Sequence, residues 1–296
     1  MSKQLKAHGA VLLANIFFAV NYLAIKFVVP GKLAAPALNV VRVVGSVVFF
    51  WLLFVLKPSK AGIQKKDIPL FVICALTGVV FNQILFVKGL SLTSAIHASL
   101  LALVTPILII FIAAWLLKER LTWLKITGIV LGIGGAVILI LMKDVSYTAT
   151  NIVLGDVLVV VNAISYAFYF VLVKPLMRRY SAIHIIRWVF TIGMLFMLPY
   201  GWNSFIETDW QSFQFIHWFA LVFIISAATF LAYLFNIFGV SVIGASATGS
   251  YIYTQPVFTA IIAIIFTGET LDWLKMLAAA LIFGGVYLAN YKTKLN

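Results

Sequence analysis

Acidic residues are scarce in this chain, eight among 296, and cysteine occurs once. Charged residues of both signs make up 10% of it, against about 25% in ordinary soluble domains. The lone Cys74 lies within an apolar run, which excludes a disulfide framework and a cysteine-based metal site. The other histidines, His8, His184 and His217, make no metal-ligand spacing with His97, so neither a metal nor a cofactor is expected. No His–Glu–His spacing, paired aspartates or activated serine motif is present. An intramembrane enzyme is therefore disfavoured, and no catalytic residue is assigned.

What the chain has instead is apolar length. Hydrophobic residues account for 64% of it, too many for a soluble protein of this size to hide. Lipid must meet these runs, and in lipid only helices and closed barrels satisfy their backbones. Barrel strands alternate with period two, whereas runs such as 47–56 and 107–117 are unbroken, so helices are expected. The net charge of +13 would suggest nucleic acid in a soluble protein. Here the basic residues sit mostly between apolar runs, where the positive-inside bias puts them, and no nucleic-acid partner is expected. The first apolar segment has spanning length and leads straight into others, so no cleavable signal is expected.

A spanning helix needs about 20 residues. Apolar runs between charge, proline and glycine give ten candidates: 8–28, 37–56, 68–88, 92–117, 123–142, 153–173, 183–201, 214–238, 244–267 and 273–291. The strongly basic segments, Lys57 to Lys66, Lys118 to Lys125 and Lys174 to Arg179, then fall on one side together with both ends of the chain. That places both termini in the cytoplasm of a multi-pass protein of the cell (inner) membrane.

The chain also repeats itself. Gly89, Ser91, Ala95, Pro106, Glu119, Leu121, Trp123, Leu124, Lys125, Gly134 and Gly135 recur, at a constant shift of 150, as Gly239, Ser241, Ala245, Pro256, Glu269, Leu271, Trp273, Leu274, Lys275, Gly284 and Gly285. Phe18 and Lys26 pair more loosely with Tyr166 and Lys174. Two halves, 1–148 and 149–296, follow. Each holds five spans, an odd number, so one copy is expected upside down relative to the other, around a shared central cavity. The expected fold is thus an all-α membrane protein of ten transmembrane helices in two inverted five-helix repeats.

At these residues the chain resembles the EamA-type transporters of the drug/metabolite transporter superfamily. Beside the repeat, the matching pieces are Phe18 to Tyr22 with Lys26, Arg42, Gly89 to Ala95, Pro106, Lys118 to Leu121, Gly155-Asp156 and Gly268 to Leu271. The resemblance implies ten helices about a central cavity and movement of amino acids or other small metabolites, often outward. It leaves the solute open, since Tyr166 and Phe18 stand where tryptophan is common in the family.

Helical spacing shows which polar groups share a face. Asn162, Tyr166 and Tyr169 form one stripe; Ser226, Thr229, Tyr233 and Asn236 a second; Thr248, Tyr251 and Gln255 a third. Asn82 and Phe86 are an i, i+4 pair, and Asn21 lies past the centre of the first span. Unsatisfied donors facing lipid cost several kcal/mol each, roughly, so the stripes should face helices or water. Interhelical hydrogen bonds would explain any one of them. Together they describe an amphipathic cavity suited to a neutral or zwitterionic metabolite, with Asn21, Asn82, Phe86, His97, Tyr166, Tyr169, Tyr233, Asn236, Tyr251 and Gln255 as candidate substrate contacts. His97 is either bonded to a neighbouring helix or a substrate or proton site. The partners are thus a small-molecule substrate and the bilayer; a homodimer is compatible, but a monomer suffices.

All eight acids fall in loops or at span ends, which argues for facilitated diffusion or exchange, with His97 as the membrane-located proton carrier. Glu119 and Glu269 precede helix starts and are read as favouring the positive end of the next helix, with Thr122 and Asp272 as N-caps. Pro106 and Pro256 are read as kinking continuous spans. Gly128, Gly132, Gly134, Gly135, Gly284 and Gly285 allow close helix approach. The rival function is an organic-phosphate or nucleotide-sugar antiporter, which needs fixed cations in the cavity. Lys26, Arg42, Lys88 and Arg187 are read as near span ends, which demotes it. A non-transporting scaffold predicts no solute flux.

Overall fold

The computed structural model describes residues 2–56, 62–118, 122–141 and 150–290; among these the chain is helical and no strand occurs. Eight helical runs are long and apolar enough to cross a membrane, and two shorter apolar ones, Tyr251–Thr267 and Trp273–Ala289, follow them. In chain order the helices are α1 (Lys3–Val28), α2 (Ala35–Leu56), α3 (Lys65–Leu92), α4 (Ala95–Ala102), α5 (Thr105–Leu117), α6 (Trp123–Leu141), α7 (Ile152–Leu172), α8 (Ala182–Ile206), α9 (Phe215–Gly244), α10 (Gln255–Thr267) and α11 (Trp273–Asn290). A single helical turn, Lys174–Met177, follows α7.

Local chemistry starts these helices. Ser2, Ser94, Asn151 and Ser181 each accept from the backbone N–H three residues on, satisfying a donor that the first turn would orphan. The expected caps Thr122 and Asp272 accept in the same way from Lys125 N (3.4 Å) and Lys275 N (2.9 Å).

Backbone irregularities recur at the sequence shift of 150. Helix α5 spans 105–117 and α10 spans 255–267. The residues that follow them, Lys118 and Gly268, are both left-handed, with φ of 55° and 68°. A π-helical stretch at Leu76–Val80 within α3 is matched by one at Phe223–Leu231 within α9. Pro106 and Pro256 also match, but neither kinks a continuous helix as expected. Each stands in the first turn of a new helix, after a break at Leu103-Val104 or the 3₁₀ turn Tyr251–Thr254. Proline is well placed there because its missing N–H would have had no partner.

Helices α6 and α11, the last of each half, pack together through glycine. A Cβ on Gly128 would lie 2.4 Å from the Gly285 carbonyl oxygen, and one on Gly285 would lie 2.6 Å from that of Gly128. Only residues without a side chain permit such backbone contact. The surface carries Trp115, Trp123, Phe215, Phe266 and Trp273, whereas Asn15, Asn21, Asn39, Arg42, His97 and Asp156 are buried. This inside-out distribution is what lipid selects.

Candidate functional site

The ten predicted contact residues fall into separate places. At one end of the bundle, Tyr251 and Gln255 hold α1: the Tyr251 hydroxyl and His8 Nδ1 share a 2.8 Å hydrogen bond, and Gln255 Nε2 donates to Asn15 Oδ1 at 2.8 Å. Asn236 donates to its own helix, at Ala232 O (3.0 Å). Phe86 packs edge-on against Tyr22, ring centres 5.5 Å apart. The Asn82 carbonyl accepts from Asn162 Nδ2 (2.7 Å), tying α3 to α7. Asn21 is buried, and its Oδ1 has no partner among the described residues.

Tyr166, Tyr169 and Tyr233 come together. The Tyr166 and Tyr169 rings lie 5.7 Å apart, and each is within electrostatic reach of Tyr233. The π-helical stretch of α3 makes room for them, since Gly78 lies so close to the Tyr169 ring that a Cβ would come within 2.5 Å of it. π-Helical turns recur at functional positions because the extra residue re-aims side chains.

The sequence reading missed the fourth member of this group. Arg42 is not near a helix end: it is the eighth of the 22 residues of α2 and only 6% exposed. Arg42 Nε donates to Thr229 Oγ1 (2.9 Å), and that hydroxyl donates to Ile224 O (2.8 Å) within the π-helical stretch of α9. Tyr233 lies within its electrostatic reach. The expected stripe of Ser226, Thr229, Tyr233 and Asn236 is thereby divided, with Thr229 and Tyr233 toward Arg42 and Ser226 bonded to Val222 O (2.6 Å).

His97 lies at the other end of the bundle from Tyr251. Its Nδ1 shares a 2.8 Å hydrogen bond with Asp156 Oδ2, and both side chains are fully buried. Thr93 Oγ1 donates to the other Asp156 oxygen. Lys26 Nζ donates to the carbonyls of Leu90 (3.3 Å) and Thr93 at the end of α3. Glu269 completes this end, but not as expected. Its carboxylate accepts from Ala95 N (2.9 Å) and Ile96 N (3.0 Å), capping α4 across the interface between halves rather than its own neighbour α11. Glu119, its repeat partner, lies outside the described residues. Acids at helix ends are therefore not all solvated: Asp156 and Glu269 are both buried.

Burial differs between the two copies. In the first, Gly89, Leu90, Ser91, Thr93 and Ser94 are buried, as is Ala95 through Leu101. At the matching positions of the second, Val240, Ser241 and Gly244 are exposed, and Gly249 and Tyr251 are half-buried, although Gly239 and Thr248 are buried.

Two further clusters lie apart. Asp67 is buried, paired with Arg179, and accepts from the Tyr180 hydroxyl at 2.8 Å; burial raises the Tyr180 phenol above its ordinary pKa. An apolar groove of about 350 Å³, lined by Val41, Phe205, Trp210, Trp218, Leu221, Val222 and Ile225, contains none of the ten residues. Lys88 is exposed. Arg187 stacks under Phe54 and Trp51, its guanidinium 4.1 and 4.9 Å from their ring centres. Among the described residues no group of three or more His, Cys, Asp or Glu could hold a metal.

The family model described as the EamA-like transporter family matches the chain twice, over residues 5–141 and 153–291. The chain is 25% identical over 274 residues to the uncharacterized transporter YetK of Bacillus subtilis, covering 90% of this chain and 83% of that one. It is 29% identical over 234 residues to the probable terminal-alkyne amino-acid exporter of Streptantibioticus cattleyicolor, covering 78% and 75%. It is 24% identical over 273 residues to a WAT1-related protein of Arabidopsis thaliana, covering 79% and 73%. A solved crystal structure superposes with a TM-score of 0.63 at 17% identity, over 98% of this chain and 96% of that one.

Proposed function

This chain belongs to the EamA-like transporter family, and on that premise we propose that it moves small neutral or zwitterionic metabolites, amino acids foremost, by alternating access between two inverted halves. It is a membrane transporter and not an enzyme. The observation that carries the alternating-access reading is the unequal burial of the two copies. A segment sealed in one half and open at its counterpart in the other is what a carrier closed at one face and open at the opposite face presents. With both termini cytoplasmic and ten helices crossing, α4, Glu269 and Lys26 form the closed outer end, and Tyr251 lies at the open inner end. The amino-acid exporter relative supports the substrate class, as does the tyrosine cluster, whose faces accept an ammonium group or an apolar side chain.

The test is flux. Purified protein in liposomes is expected to speed equilibration of radiolabelled amino acids down their gradients over protein-free liposomes. Absence of flux for all twenty standard amino acids sinks the substrate assignment; absence for every metabolite offered sinks alternating access by this chain.

A further inference from the structure

Among the buried polar groups, one constellation has bonding capacity that the described residues do not use. Arg42 and Asn39 lie three residues apart on α2, so their side chains share a face. Asn39 is fully buried, and neither Nδ2 nor Oδ1 has a hydrogen-bond partner among the described residues. Arg42 Nη1 is buried in the same condition, while Nε is fixed by Thr229. A buried guanidinium demands acceptors, and a carboxylate is the group whose geometry matches its fork. No acidic side chain bonds to it among the described residues. Cations within a membrane are costly and are kept where they act.

We infer that Arg42, with Asn39 beside it, is the subsite that receives the carboxylate of the transported solute. The inference rests on the transport reading above and narrows it to solutes bearing one carboxylate. Charge counting favours that over a phosphate ester. Among the described residues, Arg42 is the cation within electrostatic reach of Tyr233, and one positive charge neutralises a carboxylate but leaves a phosphate dianion half-compensated. Thr229 sets the direction of the fork by holding Nε, leaving the Nη side to the ligand. The tyrosines Tyr233, Tyr166 and Tyr169 then face the remainder of the solute.

The experiment uses the full chain in detergent and in liposomes. Thermal melting is followed with each standard amino acid and with its amide, which has the same size without the negative charge. At least one amino acid is expected to raise the melting temperature of the wild type, with its amide at least tenfold weaker. Arg42→Lys, which keeps charge but loses the fork, is expected to weaken that amino acid about tenfold, and Arg42→Gln to abolish its binding. Because the acid-to-amide comparison needs no variant, poor folding of either substitution does not blunt it. An amide equal to its acid, a folded Arg42→Gln that binds unchanged, or displacement by glucose 6-phosphate would each overturn the subsite while leaving transport standing. Failure of every standard amino acid to bind or move would overturn the amino-acid reading and the subsite with it.

Discussion

Replacing Glu269 by Gln tests whether the buried cap on α4 holds the outer end shut. The carboxylate takes two backbone N–H groups, Ala95 N at 2.9 Å and Ile96 N at 3.0 Å, at the positive end of a helix. An amide keeps one carbonyl oxygen for one of them and turns an NH₂ group toward the other. The lost charge-assisted bond is worth ~1.5–3 kcal/mol, and the lost charge at the helix terminus adds ~0.5–1 kcal/mol. A loss of about 2–4 kcal/mol from the closed state raises the open fraction roughly thirty- to several-hundred-fold, at 1.4 kcal/mol per factor of ten. Ser99, on α4 and 1% exposed, is a suitable reporter, because Cys74 is the one native cysteine to remove first. With Ser99→Cys in a Cys74→Ala background, a membrane-impermeant thiol reagent added outside right-side-out vesicles is expected to react slowly. Adding Glu269→Gln is expected to speed the reaction at least tenfold. Unchanged labelling in a protein that melts normally would refute the reasoning and reduce Glu269 to a packing residue.

Other substitutions probe the frame. Gly128→Ala places a methyl 2.4 Å from the Gly285 carbonyl oxygen and is expected to cost ~1–3 kcal/mol of stability, read as a lower melting temperature. Gly134→Ala, with nothing within 4 Å, is expected to melt like the wild type or higher. Gly78→Ala forces the Tyr169 ring from its place and is expected to weaken solute-induced stabilisation about tenfold more than it weakens the fold. Equal losses would argue that Tyr169 does not meet solute. Asp156→Asn removes the charge from a fully buried hydrogen bond with His97 and is expected to destabilise by ~1.5–3 kcal/mol. A second substitution, His97→Leu, should recover part of that loss in thermal melts; additive losses would contradict the pairing.

Local chemistry was the legible part. Apolar runs marked the helices because lipid imposes a length, and Thr122 and Asp272 behave as the caps their types suggest. Recurrence at a shift of 150 survived into the backbone, down to the left-handed residues at 118 and 268. Pro106 and Pro256 were misread because an unbroken apolar run hides a helix break. Proline's preference for the first helical turn was the signal that could have revealed it. Contacts between distant segments left no such trace. His97 reaches Asp156 across 59 residues, and Glu269 reaches Ala95 across 174. Arg42 was undervalued because burial depends on what packs against a helix, here the π-helical stretch of α9, and not on distance from the end of a run.

That stretch in α9 makes the count of residues matter there in a way it does not in a loop. A π turn winds one more residue into each circuit than an ordinary helix does. Deleting a single residue between Phe223 and Leu231 would let the ladder tighten to its usual pitch. The helix beyond would keep its facing, because the wide turn is what absorbs the extra residue, while the groups inside the stretch would be re-aimed. Tyr233 would still face Arg42, but Thr229, now four residues from Ile224 instead of five, would lose the placement from which it accepts Arg42 Nε. The chain's length at this point is thus as specific as its chemistry.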